Sequence, residues 1–325
     1  MDYGYFPGCS MSHSARPYDI STQAVTDAFN IHLHEIDDWN CCGATEYIAL
    51  NKPAAYALVG RNLAIAARQN GNKQVVAPCS ACYLNLRKTN HYMDKYPELA
   101  AMTNTALQAG GLHYEPGSLR IRHLLDVIYT DVGLEAIEAR VTKPLTGLKL
   151  APYYGCLIVR PEFGAQFDDA EQPTKLDHLL RALGAEIVDF PLKASCCGGH
   201  MTQISDETAF GMIRRLLMSA ADNGADMIVT ICPMCQLNLD AYQSQVNRHF
   251  HSDFNLPVLF FTQLIGLAIG LPPEAVGIGQ EIVSADRALA KIGTEPERKP
   301  ARKHRGRRHD RSIPMPRMES EVTHG

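Results

Sequence analysis

The sequence predicts an α/β protein built twice over from parallel-sheet units. Three observations predict it. The ten cysteines fall into two sets of five with matching spacing. Short β-rich runs alternate with helical stretches in both halves, which is the pattern of βαβ units. Each cysteine group directly follows one of those β-rich runs, at the edge where ligands of open α/β sheets bind.

The duplication is read residue by residue. The first set is Cys9, the adjacent pair Cys41–Cys42, and Cys79 with Cys82; the second is Cys156, Cys196–Cys197, and Cys232 with Cys235. The flanks repeat too: Tyr5-Phe6-Pro7-Gly8-Cys9 against Tyr153-Tyr154-Gly155-Cys156, Cys41-Cys42-Gly43 against Cys196-Cys197-Gly198, and Leu84-Asn85-Leu86 against Leu237-Asn238-Leu239. Strands are expected at Tyr3–Phe6, His32–Ile36 and Gln74–Ala77, and again at Lys149–Tyr154, Glu186–Phe190 and Met227–Ile231. Helices are expected at Pro53–Gln69, Lys175–Leu183 and Glu207–Ala221, where apolar residues recur at three- and four-residue spacings. Gly184 and Gly224 sit where helix C-termini are expected. The apolar run Leu256–Leu271 is too short for a spanning helix and reads as a buried strand entering a buried helix. Pro144 and Gly147 break the pattern. They set the expected domains at 1–145 and 146–297, followed by a basic, disordered tail at 298–325.

Composition bounds the function classes. The 325 residues are 46% hydrophobic and 20% charged, enough for a packed core. The net charge of −4 argues against nucleic-acid binding by the whole chain. Arg298–Arg311 carries +7 of local charge, leaving −11 elsewhere, and reads as a solubilising tail. No export signal and no transmembrane segment are visible, so a cytoplasmic protein is expected. Ten cysteines in that setting favour metal or redox chemistry over structural disulfides.

Soft thiolates select iron–sulfur clusters, copper(I) or zinc. A structural zinc takes four ligands, so five thiols per half are one too many. A multi-metal cluster accepts an adjacent cysteine pair more easily than one small ion does. A metal-free dithiol reading of Cys79-Ser80-Ala81-Cys82 and Cys232-Pro233-Met234-Cys235 leaves the other six cysteines unexplained.

The doubled Cys-Cys-Gly motif, with its lone cysteine and C-x-x-C, resembles the cysteine-rich CCG domain of the B-type subunit of heterodisulfide reductase, from about Tyr3 to Ile292. The resemblance implies two pseudo-twofold-related, Rossmann-like CCG domains with parallel sheets. It implies that Cys9, Cys41, Cys42, Cys79 and Cys82, and in the second half Cys156, Cys196, Cys197, Cys232 and Cys235, hold two [4Fe–4S] clusters of non-cubane type. It further implies a shared cavity in which a disulfide is cleaved or formed. The implied partners are a small ferredoxin-like subunit with ordinary [4Fe–4S] clusters, of the family's C type, together with a flavin subunit of its A type. The alanine-rich composition and the Arg- and His-rich tail point to a bacterial complex, where the resemblance implies a sulfur substrate on a lipoate-bearing protein. The alternative is an electron-transfer CCG subunit of a lactate, glycolate or succinate dehydrogenase complex.

Other residues enter as expectations. His200, after Cys196-Cys197-Gly198-Gly199, is a candidate proton donor to a leaving thiolate; Thr45 stands near the matching place. Gly43, Gly198 and Gly199 are expected to let backbone pack on the cluster. Lys193 is a candidate for screening cluster charge or binding an anionic substrate, against the plainer reading of a surface lysine. Asn85 and Asn238 are expected to cap or brace the helix after each C-x-x-C.

Overall fold

The computed structural model describes residues 1–44, 47–69, 71, 73–160, 163 and 167–294. The expected tail at 298–325 and Thr45 lie outside the described residues.

The first sheet holds β1 (Asp2–Tyr5), β2 (His32–Glu35), β3 (Gln74–Ala77) and β4 (Arg120–His123); the second holds β5 (Lys149–Tyr153), β6 (Glu186–Ile187), β7 (Met227–Thr230) and β8 (Val258–Phe260). Their orders are β2-β1-β3-β4 and β6-β5-β7-β8, every pairing parallel. The same order in both sheets is the structural form of the sequence repeat. β3 and β7 are central, and their Val75-Val76-Ala77 and Met227-Ile228-Val229-Thr230 are buried throughout. That is why they read as continuous apolar runs rather than alternating ones.

Seven of the eight strands fall at the sequence-predicted places. β6 is shorter than expected, but Val188 still donates to the Leu150 carbonyl at 3.0 Å, so the chain stays against β5. The apolar run after Leu256 forms β8 and the helix Phe261–Ala268, all buried. Gly184 and Gly224 stand at φ +89° and +75°, just past helices Lys175–Ala182 and Asp206–Asp222, where a left-handed residue ends a helix at least cost. β4 has no counterpart among the expected strands.

Residues Met1–Thr294 form one compact unit, and the halves interlock by exchanging helices. The helix Arg16–Ala28 of the first half packs on Phe261–Ala268 of the second, where Ser21 and Thr262 hydroxyls bond at 2.6 Å in a fully buried contact. Reciprocally, Lys175–Ala182 packs on Leu124–Val127, and Lys175 Nζ reaches Asp126 Oδ1 at 2.9 Å. Among the described residues no helix is long and apolar enough to cross a membrane.

Candidate metal and redox centre

The order β2-β1-β3-β4 reverses direction between β1 and β3, so a crevice opens at their carboxyl ends. Cys9 follows β1, Cys41 and Cys42 follow β2, and Cys79 follows β3. The second sheet repeats this with Cys156, Cys196–Cys197 and Cys232. Cys79 is the N-cap of helix Ser80–Lys95 and Cys232 the N-cap of helix Pro233–Ala241. Each C-x-x-C therefore lies at a helix N-terminus, where the peptide dipoles favour a thiolate.

The sulfurs form chains rather than isolated pairs. Cys9 and Cys41 Sγ are 3.7 Å apart, and Cys42 and Cys82 Sγ 3.4 Å. Cys82 in turn neighbours Cys79, whose thiol helps to push its pKa up. In the second half Cys156 meets Cys196, and Cys197 meets Cys235, which meets Cys232. The two chains come together across the halves, because Cys79 and Cys232 lie close enough for the Cys232 thiol to push the pKa of Cys79 up. Cys9 and Cys41 are exposed, Cys156 and Cys196 half-buried, and the other six buried.

This crowding fixes the electrostatics. The thiols of Cys42 and Cys9 hold Cys41 far below the usual thiol range, and the Cys156 thiol brings Cys196 down to about 6. Each ionised sulfur displaces its neighbour upward: hydrogen bonds to Cys42 and Cys79, then burial, push Cys82 up, and those to Cys197 and Cys232, then burial, push Cys235 up. Five adjacent thiols cannot all ionise in apolar surroundings unless a cationic centre compensates them, as a bound metal does. Among the described residues no three Cys, His, Asp or Glu side chains are gathered to hold a single ion. Strung-out soft donors from three loops match a multi-iron cluster better than one tetrahedral ion.

The supporting groups repeat as well. Gly43 N–H donates to Cys41, and Gly198 N–H to Cys196 Sγ at 3.3 Å. Gly43, Gly198 and Gly199 all have positive φ, +77°, +101° and +54°; a Cβ at Gly198 or Gly199 would meet nothing closer than 3.7 Å. There the backbone conformation calls for glycine. Close approach to sulfur belongs to Gly8 and Gly155, whose added Cβ would stand 2.7 Å from Cys82 Sγ and 3.0 Å from Cys235 Sγ. Sequence reasoning passed over these two, although both directly precede the lone cysteine of each set.

Asn85 and Asn238 do not cap their helices but brace them against the neighbouring Cys-Cys-Gly loops. From the helix after each C-x-x-C, Asn85 Nδ2 donates to the carbonyls of Cys42 (3.1 Å) and Ala44. Asn238 Nδ2 donates to those of Cys197 (3.3 Å) and Gly199 (2.8 Å), and lies 3.6 Å from Cys197 Sγ. Each asparagine ties the Cys-Cys-Gly loop to the C-x-x-C helix. Lys193 fills neither role expected of it: its ammonium pairs with Asp177 at 3.0 Å, largely buried.

His200 lies on a single 3₁₀ turn, Gly199–Gln203, close enough to Cys41 of the other half to help lower that thiol's pKa. It also lines a cavity of about 180 Å³ with Ser80, Cys156, Cys196, Cys232, Met201, Ile204 and Met234. Among the described residues lining it, His200 is the only ionisable side chain besides the cysteines and Tyr154.

The sequence pattern of the cysteine-rich domain family, CCG, matches residues 3–87 and 150–240. The chain is 33% identical over 286 residues to the 8-methylmenaquinol:fumarate reductase membrane anchor subunit of Wolinella succinogenes, covering 88% of this chain and 98% of that one. It is equally 33% identical over 291 residues to the B-type subunit of the ferredoxin:CoB-CoM heterodisulfide reductase of Methanosarcina mazei, covering 88% and 95%. A protein of Archaeoglobus profundus described as similar to the same heterodisulfide reductase component is 29% identical over 295 residues, covering 89% and 97%. Among solved structures, a hypothetical protein from Helicobacter pylori superimposes with a TM-score of 0.69 at 15% identity, which speaks to the fold alone. That match covers 87% of this chain and 52% of the other, so the chain spans about half its length.

Proposed function

This chain belongs to the CCG cysteine-rich domain family, and from that premise we propose that it is the catalytic subunit of a heterodisulfide-reductase-type complex, an oxidoreductase that cleaves or forms a disulfide. The observation that carries this reading is the meeting of the two C-x-x-C loops, whose Pro78 and Ile231 carbonyls share the Tyr18 hydroxyl and whose Cys79 and Cys232 thiols influence each other's ionisation. A disulfide has two sulfurs to be held, and two facing sites match it. Electron carriers in series need separated sites instead.

The ten cysteines would hold two [4Fe–4S] clusters of non-cubane type, one per half. When bound, these supply or accept the two electrons of the reaction one at a time. The balance is one disulfide, two electrons and two protons giving two thiols. The chain's own residues do the rest. Leu157, Met201, Ile204 and Met234 give the cavity an apolar lining that suits an uncharged disulfide of lipoamide type. His200, facing the cavity and Cys41, donates a proton to a leaving thiolate or recovers it in the reverse direction. This chain has no ferredoxin-type cysteine run, so electrons pass through two partners, a small ferredoxin-like protein and a flavin subunit. A role in sulfur oxidation with a lipoate-bound substrate fits the apolar cavity.

The Wolinella relative favours a second reading, an electron-transfer subunit of a succinate- or fumarate-type complex. One experiment separates them. Protein purified without oxygen should carry about eight irons per chain, and a matched series of disulfides and thiols should perturb the spectra of both centres together. Stoichiometric zinc with little iron sinks the metal assignment. Two iron centres that no member of the series perturbs leave the electron-transfer reading in place.

A further inference from the structure

Pro78 and Ile231 immediately precede Cys79 and Cys232, and their carbonyls lie together where the halves meet. Tyr18 shows this directly: its hydroxyl is within hydrogen-bond reach of both, 3.2 Å from the Pro78 oxygen and 3.4 Å from the Ile231 oxygen. One donor thus serves the two backbone segments that carry the joined thiols. The Tyr18 ring is fully buried, stacked on Phe260 at 4.2 Å and 5°, with Phe261 edge-on at 6.0 Å. Tyr18 belongs to the first half and its stacking partner to the second.

The other flank of the joint carries His123. It is fully buried at the end of β4, edge-on to Tyr83 at 5.8 Å and to Phe167 at 6.2 Å. It occupies the place in the first sheet that Phe260 occupies in the second, the last strand residue and N-cap of the following helix. The arms are therefore alike in outline, Tyr18 with Phe260 on one side and Phe167 with His123 on the other, but each contributes one polar group. The tautomer follows from geometry. Nδ1 accepts from the Leu125 amide at 3.1 Å, so the neutral ring carries its proton on Nε2. Burial pushes the imidazole down to about 4, which keeps it neutral. Nε2 has no well-formed partner among the described residues, and the acceptors it faces are the same carbonyls of Pro78 and Ile231. A buried N–H aimed at two carbonyls already sharing a single donor has one satisfactory outcome, to become their second donor.

We propose that Tyr18 and His123 are positioning residues that clamp the Pro78 and Ile231 carbonyls from opposite sides, fixing the Cys79–Cys232 contact and with it the separation and coupling of the two metal centres. The inference rests on the proposed iron centres. Neither residue touches a substrate or a reacting sulfur, and the role is to keep two separately built cysteine loops in one register.

The test uses the iron-loaded protein and substitutions that copy one arm onto the other. Tyr18→Phe keeps the stacked ring and removes the hydroxyl; His123→Phe places in β4 the residue that β8 already has. Each variant should bind as much iron as the wild type while the magnetic interaction between the reduced centres weakens in the EPR spectrum and their reduction potentials shift relative to each other. The double variant should lose more of the interaction than the two single losses combined, because the carbonyls then have no donor. His123→Gln, whose side-chain amide restores a donor near the Nε2 position, should recover the signal that His123→Phe loses. If His123→Phe fails to fold, Tyr18→Phe and His123→Gln still decide the matter. Variants with full iron content and an unchanged interaction overturn the clamp, as do variants that merely melt earlier with both signatures intact. Absence of iron from the wild type overturns the metal reading instead, so the two failures are distinguishable.

Discussion

In the N-terminal half Cys9 and Cys41 are exposed, and the space beside Cys42 and Gly43 is about 10 Å³. In the C-terminal half the matching Cys156 and Cys196 are half-buried along a cavity of about 180 Å³ that also holds His200. The strand order, the amide-to-sulfur bonds and the asparagine ties are the same in both. Duplication has thus kept the apparatus that holds sulfur and let the access diverge. A space of about 10 Å³ is at the limit for holding a single water, whereas the larger one admits the sulfur-bearing end of a small molecule. On the proposed function, the C-terminal half is where a substrate enters, and the N-terminal half presents open sulfur-bearing loops to its surroundings.

Removing one ligand from each half tests that separation with the largest effect. Cys41→Ser should abolish the N-terminal centre and Cys197→Ser the C-terminal one, each leaving about four irons per chain and the other centre detectable by EPR or Mössbauer spectroscopy. If either change emptied both sites in a chain that stayed folded, the halves would not bind independently. His200→Gln comes next. It should leave iron content unchanged and slow disulfide turnover by about 100-fold, the contribution of one positioned proton donor. An unchanged rate would return His200 to a structural role in the wall of the cavity.

The two sheets differ in how much of them the sequence made legible. Strands preceding cysteines stood out because β1, β3, β5 and β7 are short apolar or aromatic runs with a cysteine shortly after each. β8 was visible within its apolar run. β4 was not, because Arg120-Ile121-Arg122-His123 reads as a charged surface segment. Arg122 is nevertheless almost fully buried, because Asp126 at 2.9 Å and Asp131 neutralise its guanidinium. Such compensation comes from residues later in the chain and leaves no local periodicity to read. The cysteine sets were legible because their spacing repeats. That the two sets meet was expected only through the family resemblance, and that they meet at Cys79 and Cys232 was not legible, since packing between halves has no signature in either half. Lys193 shows the same limit, its partner Asp177 lying 16 residues away on another element.

The glycines that face sulfur offer a comparison at smaller scale. Gly8 and Gly155 both have positive φ, +76° and +69°, so alanine at either place strains the backbone by roughly 1–2 kcal/mol. The added methyl meets Cys82 Sγ at 2.7 Å in one half and Cys235 Sγ at 3.0 Å in the other. Gly8→Ala should therefore lower the melting temperature further than Gly155→Ala and release iron from the N-terminal centre first. Equal losses in both variants would mean that backbone strain alone sets the cost.

The asparagine ties are the closest match between the halves, and the smallest effects are expected there. Asn85→Ala and Asn238→Ala each remove an amide that serves two carbonyls of a Cys-Cys-Gly loop, which should cost about 1–3 kcal/mol of stability in either half. They differ in one contact. Asn238 Nδ2 also lies 3.6 Å from Cys197 Sγ, while Asn85 Nδ2 donates to the Cys42 and Ala44 carbonyls. A weak donor beside a ligand sulfur withdraws charge from it and tunes the potential of the centre it serves. Denaturation curves of the two variants should thus nearly coincide, while redox titration should show a downward shift at the C-terminal centre of Asn238→Ala and a smaller one at the N-terminal centre of Asn85→Ala. Shifts of equal size would assign the tuning to the loop conformation that both asparagines hold, and the Asn238–Cys197 contact would then carry no electronic weight.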